Sequence, residues 1–222
     1  LDAQGVIAHA QGCQIIVSDR QTPGPAGIFA ALPDLVAFVR CAVDIRNIDA
    51  GAASDHGVLV TRASAGFATA VAELGLGIMV DLARNISRSV VDYRAGRQPA
   101  AVMGRELKGA TAGIIGYGAI GREMATLCRA IGMRVLACDP HKTIVEAGVT
   151  QVSLDDLLAQ SDFVVCLVVA TDATECLMNA ARFARMKRNA SFINLSRGNL
   201  VDEAALSDAL DELARDAGGR RF

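Results

Sequence analysis

The stretch TAGIIGYGAIGREMATLCRAIGMRVLACD (111–139) decides the fold. Its first five residues, Thr111 to Ile115, are apolar or small and read as a strand buried on both faces. Gly116-Tyr117-Gly118-Ala119-Ile120-Gly121 follows at once, and a helical pattern then runs to Ile131. A G-x-G-x-x-G sequence alone is a weak signal in a chain with 21 glycines. Between a strand and a helix each glycine has a task. Gly116 permits the tight turn, Gly118 lets a pyrophosphate approach the backbone, and Gly121 lets the helix pack close to the strand. The free N–H groups at the helix start then face the diphosphate. A second strand, MRVLAC (133–138), ends on Asp139, whose carboxylate suits the ribose hydroxyls of NAD and repels the 2′-phosphate of NADP. The cofactor expected is therefore NAD; His141 and Lys142, just beyond, leave NADP open.

Outward from this unit the pattern repeats. SLDDLLAQS (153–161) reads as a short helix with Ser153 as its N-cap. Strand FVVCLVV (163–169), helix NAARFARM (179–186), strand SFINL (191–195) and helix DEAALSDALDELA (202–214) follow. Apolar strands each followed by a helix describe a doubly wound parallel sheet, an α/β fold of Rossmann type. Upstream, AVAELGLGIMVDLARNISRSVVDY (70–93) reads as one long helix with its apolar stripe at Val71, Leu74, Ile78 and Leu82. Gly75 and Gly77 within it suggest close helix packing. Before it lie short strands at 13–18, 35–40 and 57–62, with a small helix, IFAAL, stopped by Pro33. This first region reads as a smaller, incomplete α/β layer.

Composition narrows the function classes. A formal net charge of −2 without a basic cluster favours neither nucleic acid nor an anionic membrane. No apolar run reaches the length of a membrane span, and the opening LDAQG lacks the features of a signal peptide. The six cysteines form no C-x-x-C pair and read as small buried thiols in a reducing cytoplasm. No metal site is expected, because the three histidines are scattered.

With these motifs in place, the chain resembles the D-isomer-specific 2-hydroxyacid dehydrogenases, whose members include phosphoglycerate, glycerate and formate dehydrogenases. RELKGATAGIIGYGAIGREMA resembles the family's run through its glycine turn, and VAELGLGIMVDLARNI resembles its long interdomain helix. MKRNASFINLSRGNLVDEAAL, with Ser196-Arg197-Gly198 and Val201-Asp202-Glu203, resembles the stretch that delivers the catalytic arginine. The resemblance makes Arg197 that arginine, a permanent cation suited to hold a carboxylate while polarising the neighbouring carbonyl. It sets Leu195 and Ser196 beside the nicotinamide, and Val168 and Val169 near the adenosine, although the family usually has proline where Val169 stands. It implies a partial, flavodoxin-like substrate-binding domain over 1–70, an NAD-binding domain with its long helix over 71–222, and a homodimer. The implied activity is interconversion of a 2-hydroxyacid and a 2-oxoacid by hydride transfer.

The chain departs from the family twice. The family's loop that receives the substrate carboxylate corresponds to VRCAVDIRNID (39–49), and places Val43, Asp44 and Arg46 at the substrate. Glycines and an aspartate of that loop are replaced by Ala42, Asp44 and Arg46. A carboxylate about 4 Å from the substrate's own would cost roughly 1–4 kcal/mol, which Arg46 would offset. The family's acid/base histidine and its glutamate lie well beyond the arginine, yet the 25 residues after Arg197 contain no histidine. Nor does the family's first strand precede Leu1. The expectation is a fragment or interrupted product that binds NAD without turnover. Two other readings stay open: a dinucleotide-sensing protein resembling corepressors of this fold, and the Rossmann domain of another NAD enzyme such as a homocysteine hydrolase.

Overall fold

The computed structural model describes residues 1–64 and 66–216. The chain divides between Gly66 and Phe67 into two compact units.

In the first unit, β1 (Ile15–Ser18), β2 (Ala37–Arg40) and β3 (Leu59–Arg62) form a parallel sheet in that order. Three short helices accompany them: α1 (Ala3–His9), α2 (Ala26–Ala31) and α3 (Ala50–Asp55). The sequence reading lacked α1 and α3, which are too short to show a period. Their signals are caps instead: Asp2 accepts the Gly5 N–H, and Asp49 accepts the Ala52 N–H. Phe29 and Phe38 meet edge to face at the centre of this core, with centroids 6.0 Å apart.

The second unit opens with α4 (Ala68–Arg84) and α5 (Ile86–Arg94). Here the single helix expected over 70–93 is corrected to two. Asn85 takes a left-handed conformation (φ 54°), and Asp81 caps the new start by accepting the Ser87 N–H at 2.6 Å. The buried stripe of α4 is also shifted, to Ala72, Gly75, Met79 and Ala83, while Leu74 and Leu82 are exposed. Small residues and a methionine face the core because α4 lies close to its neighbour. A Cβ on Gly75 would stand 2.8 Å from Leu195 Cδ1 and 3.1 Å from Met124 Sδ. Gly77 has open space around it and no such packing role.

The sheet of this unit contains β4 (Thr111–Ile115), β5 (Arg134–Cys138), β6 (Val149–Gln151), β7 (Phe163–Cys166) and β8 (Ser191–Asn194). All pairs are parallel, in the order β6-β5-β4-β7-β8. The sequence reading lacked the three-residue β6. Helices α6 (Ala119–Ala130), α7 (Leu154–Gln160), α8 (Ala180–Phe183) and α9 (Glu203–Asp216) complete the unit. Ala112, Ile114, Val135, Phe163 and Val165 pack with Met79 of α4 and with Met124, Ala125 and Cys128 of α6. Alternate positions, Ile115, Leu136 and Val164, pack with Leu157 and Leu158 of α7. Two covered faces explain why these strands are apolar throughout. This is the doubly wound α/β sheet expected from the sequence. Its strand order reverses direction at β4, between β5 and β7, and the glycine turn leaves the sheet at that point.

Among the described residues, no helix is long and apolar enough to cross a membrane. Nor does any group of three His, Cys, Asp or Glu side chains there approach metal-binding geometry. The thiols differ from expectation. Cys128 and Cys166 are buried, but Cys13, just before β1, Cys41, in the bend after β2, and Cys176, in a turn after β7, are exposed.

Candidate dinucleotide site

Gly116 adopts φ 92°, and a Cβ there would stand 2.9 Å from the carbonyl carbon of Leu167 and the nitrogen of Val168. A side chain is excluded by both conformation and space. Gly121 has the packing role, since its Cβ would fall 2.3 Å from the Gly116 carbonyl oxygen. Gly118 differs: it caps α6 in extended conformation, and a Cβ there would meet nothing within 4 Å. The open space lies at the N-terminus of a twelve-residue helix whose first turn has no acidic side chain. A diphosphate fits this cradle by charge and shape. Ala119 is exposed and Ile120 half-buried at the helix start.

Tyr117 contributes differently. Its side chain is buried in the core, and its hydroxyl donates to Glu146 Oε2 at 2.6 Å. Glu146 pairs in turn with Arg129 of α6 at 3.2 Å. Burial, reinforced by the Glu146 carboxylate, raises the phenol's pKa well above its ordinary value. The backbone of Tyr117 serves the site, because its N–H donates to Asp139 Oδ2 at 2.9 Å. Asp139 Oδ1 accepts the His141 N–H at 3.0 Å. Both oxygens of Asp139 are thereby oriented, and an ionised carboxylate keeps further acceptor sites for two ribose hydroxyls. Lys142 Nζ donates to the Tyr117 carbonyl at 2.8 Å and stands 4.0 Å from Asp139 Oδ2.

The other residues of the second unit line the same carboxyl edge. Val168 is half-buried, and its carbonyl accepts from the Ser196 hydroxyl, tying the loop after β7 to the loop after β8. Val169 is 76% exposed, its carbonyl held by Thr174 Oγ1 at 2.9 Å. Leu195 continues β8 by donating its N–H to Cys166, and its side chain reaches Gly75. The Ser196 N–H and the Arg197 carbonyl are both bound by the Asn194 side chain, which shapes the turn that presents the exposed Arg197.

Val43, Asp44 and Arg46 belong to the first unit, on the loop after β2. Asp44 Oδ1 accepts the Arg46 N–H at 3.1 Å, and Arg46 Nη2 pairs with Asp44 Oδ2 at 2.8 Å. The loop's two ends are fixed by Arg40 and Asn47. Arg40 is 1% exposed and donates to the carbonyls of Asp19 and Thr22 and to Asn47 Oδ1. Sequence reasoning passed over Arg40, Glu146 and Gln151. Their partners stand 7 to 29 positions away and follow no motif spacing.

A model of the D-isomer specific 2-hydroxyacid dehydrogenase NAD binding domain matches residues 76–217. The chain belongs to this family. The hydroxypyruvate reductase of Thermotoga maritima is 36% identical over 193 residues, which cover 86% of this chain and 63% of that protein. The D-3-phosphoglycerate dehydrogenase of Archaeoglobus fulgidus is 37% identical over 214 residues, covering 95% of this chain and 41% of its own. The chain therefore spans less than two thirds of either relative. Among solved structures, the D-lactate dehydrogenase of Escherichia coli superposes with a TM-score of 0.85 at 31% identity, over 95% of this chain and 68% of that one. A D-2-hydroxyisocaproate dehydrogenase superposes with a TM-score of 0.87 at 30% identity, over 96% and 66%. The family's dinucleotide-binding domain thus coincides with the unit that carries the glycine turn.

Proposed function

We propose that this chain binds NAD(H) on the Gly116–Gly121 turn, and that its chemistry is that of an NAD-dependent oxidoreductase acting on the CH–OH group of a 2-hydroxyacid. The observation that carries the reading is the open space at Gly118, at the N-terminus of α6, with the Asp139 carboxylate held beside it. NAD supplies the hydride acceptor and NADH the donor. Gly116, Gly118, Ala119, Ile120 and Gly121 would hold the pyrophosphate, and Asp139 the ribose. Val168, Val169, Leu195 and Ser196 would line the bound dinucleotide. Arg197 would bind the substrate carboxylate and polarise its carbonyl. NADH should bind at least tenfold more tightly than NADPH, a difference of about 1.4 kcal/mol.

Residues 1–70, with Val43, Asp44 and Arg46, would belong to the substrate-binding domain, and 71–222 to the cofactor domain. The small-molecule partner is a 2-hydroxyacid or 2-oxoacid. A second copy of the chain is the proposed macromolecular partner, on the exposed apolar side chains Leu82, Ile86, Val90 and Val91 of α4 and α5. The six free cysteines fit a reducing cytoplasm.

A second reading, binding without turnover, is favoured by the histidines. His9 and His56 each bond a helix carbonyl of the first unit at 2.8 Å, and His141 stands beside Asp139. A guanidinium such as that of Arg197 stabilises an oxyanion through its N–H donors but is a poor general acid. Positioned general acids contribute about 10²–10⁴-fold. The 222-residue chain should therefore bind NADH yet leave glyoxylate, pyruvate and hydroxypyruvate unreduced. NADH oxidation followed by absorbance tests this. Turnover in the ordinary range of about 1–10³ s⁻¹ would place a proton donor within these residues and remove the second reading.

A further inference from the structure

Leu195, just past β8, is held from two directions. Its backbone is pinned, since the Leu195 N–H donates to the Cys166 carbonyl at 3.1 Å. The Asn194 amide holds the Ser196 N–H at 3.0 Å and the Arg197 carbonyl at 2.8 Å, and the Ser196 hydroxyl donates to the Val168 carbonyl. Its side chain is placed by α4, where Gly75 leaves a notch. A Cβ on Gly75 would stand 2.8 Å from Leu195 Cδ1, 3.1 Å from Met124 Sδ and 3.3 Å from Met124 Cε. Carbon atoms in contact lie about 3.5–4.0 Å apart, so a neighbour of that Cβ would have to yield. Met124 is 0% exposed within the packed core of this unit, whereas Leu195 is only half-buried, at the carboxyl edge. Leu195 is therefore the one that yields. With its backbone pinned, it does so by rotating its side chain out of the notch.

We propose that Gly75 is a positioning residue of the dinucleotide site, whose notch keeps the Leu195 side chain against α4 and out of the nicotinamide's space. The inference rests on the proposed place of Leu195 along the bound dinucleotide. Gly75 acts through Leu195, and so at one end of the cofactor. The turn of Gly118 follows β4 and Asp139 follows β5, whereas Leu195 follows β8, two strands from β4 in the sheet. Filling the notch should therefore weaken a ligand that carries a nicotinamide and spare one that ends before it. A residue that only held α4 on the sheet would weaken both alike. Gly77, two positions on, supplies the contrast, because a Cβ there would meet nothing within 4 Å. Alanine is the better helix former at both positions, so the notch alone distinguishes them.

The test is isothermal titration calorimetry of the purified chain with NADH and with ADP-ribose, read as the ratio of the NADH to the ADP-ribose dissociation constant. Gly75→Ala should raise the ratio at least threefold, and Gly77→Ala should raise it less than threefold. Leu195→Ala empties the other side of the contact, so adding Gly75→Ala to that variant should raise its ratio less than threefold. A smaller rise in Gly75→Ala overturns the inference while leaving the dinucleotide site in place. So does a threefold rise in Gly77→Ala, or one that persists when residue 195 is alanine. A Gly75→Ala chain that does not fold overturns it as well, because Leu195 is then unable to yield. A parent chain that binds ADP-ribose but not NADH removes the nicotinamide side of the site, and one that binds neither removes the site. The inference falls with either.

Discussion

Asp162 lies at the amino edge of the five-stranded sheet, the opposite edge from Asp139. Its Oδ2 accepts the Thr111 N–H at the start of β4 at 2.8 Å, and its Oδ1 pairs with Lys187 at 2.9 Å. Burial pushes this carboxyl's pKa up, but the Thr111 N–H, Lys187 and the charge of Arg105 outweigh it, and the net shift is downward from 3.8. A depressed carboxyl pKa stabilises the fold above the unfolded-state value, and the contribution is lost as pH falls through the lower folded value. Asp162→Asn should therefore cost about 1 kcal/mol at pH 7, the scale of a partly exposed charged hydrogen bond. The cost should shrink below about pH 4, near the unfolded carboxylate pKa. Urea melts of both proteins at pH 7 and in the acid range check this. An equal difference at the two pH values would contradict it. Residues at this scale were unevenly legible. Gly116, Gly118 and Gly121 announced themselves by spacing, whereas the bond from Tyr117 to Glu146, 29 positions on, could be found only in three dimensions.

Elements with strong local signals came through. β4 matches the sequence reading residue for residue, and α7 begins after Ser153, whose hydroxyl accepts the Asp156 N–H. The failures share a cause: the deciding contact is one that the apolar period does not record. Leu74 and Leu82 gave the apolar period of α4, yet the buried face is small because Leu195 and Met124 press against Gly75. Asn85 sits in an otherwise unbroken helical pattern, and the break depends on the Asp81 cap. The exposed apolar side chains of α4 and α5 underlie the proposed self-association. Leu82 is 46% and Val90 42% exposed, so Leu82→Glu with Val90→Glu removes no core packing. Sedimentation velocity should show a dimer for the parent chain and a monomer for the double variant. Identical masses for both proteins would contradict an interface on these helices.

At the scale of the whole molecule, α/β class and parallel strands followed from apolar runs alternating with helical ones. The order β6-β5-β4-β7-β8 did not, because strand neighbours are long-range facts. The site's backbone portion was legible for a physical reason: a phosphate cradle needs glycines at fixed spacing, and sequence records glycine spacing directly. Its side-chain portion was legible at Asp139 and lost at Gln151, whose amide braces the Asp139 and Lys142 carbonyls. The division at Gly66 leaves the loop of Asp44 and Arg46 in one unit and the glycine turn in the other. The account therefore rests on the second unit, and within it on Gly118. Its φ of −78° suits any residue, and the direction of its Cβ is empty. Gly118→Val should leave the far-ultraviolet circular dichroism unchanged, because the new side chain enters open space. That space is the pyrophosphate's, so NADH affinity by fluorescence titration should fall at least a hundredfold, about 2.7 kcal/mol. A folded Gly118→Val chain that binds NADH as tightly as its parent would contradict the account at its centre.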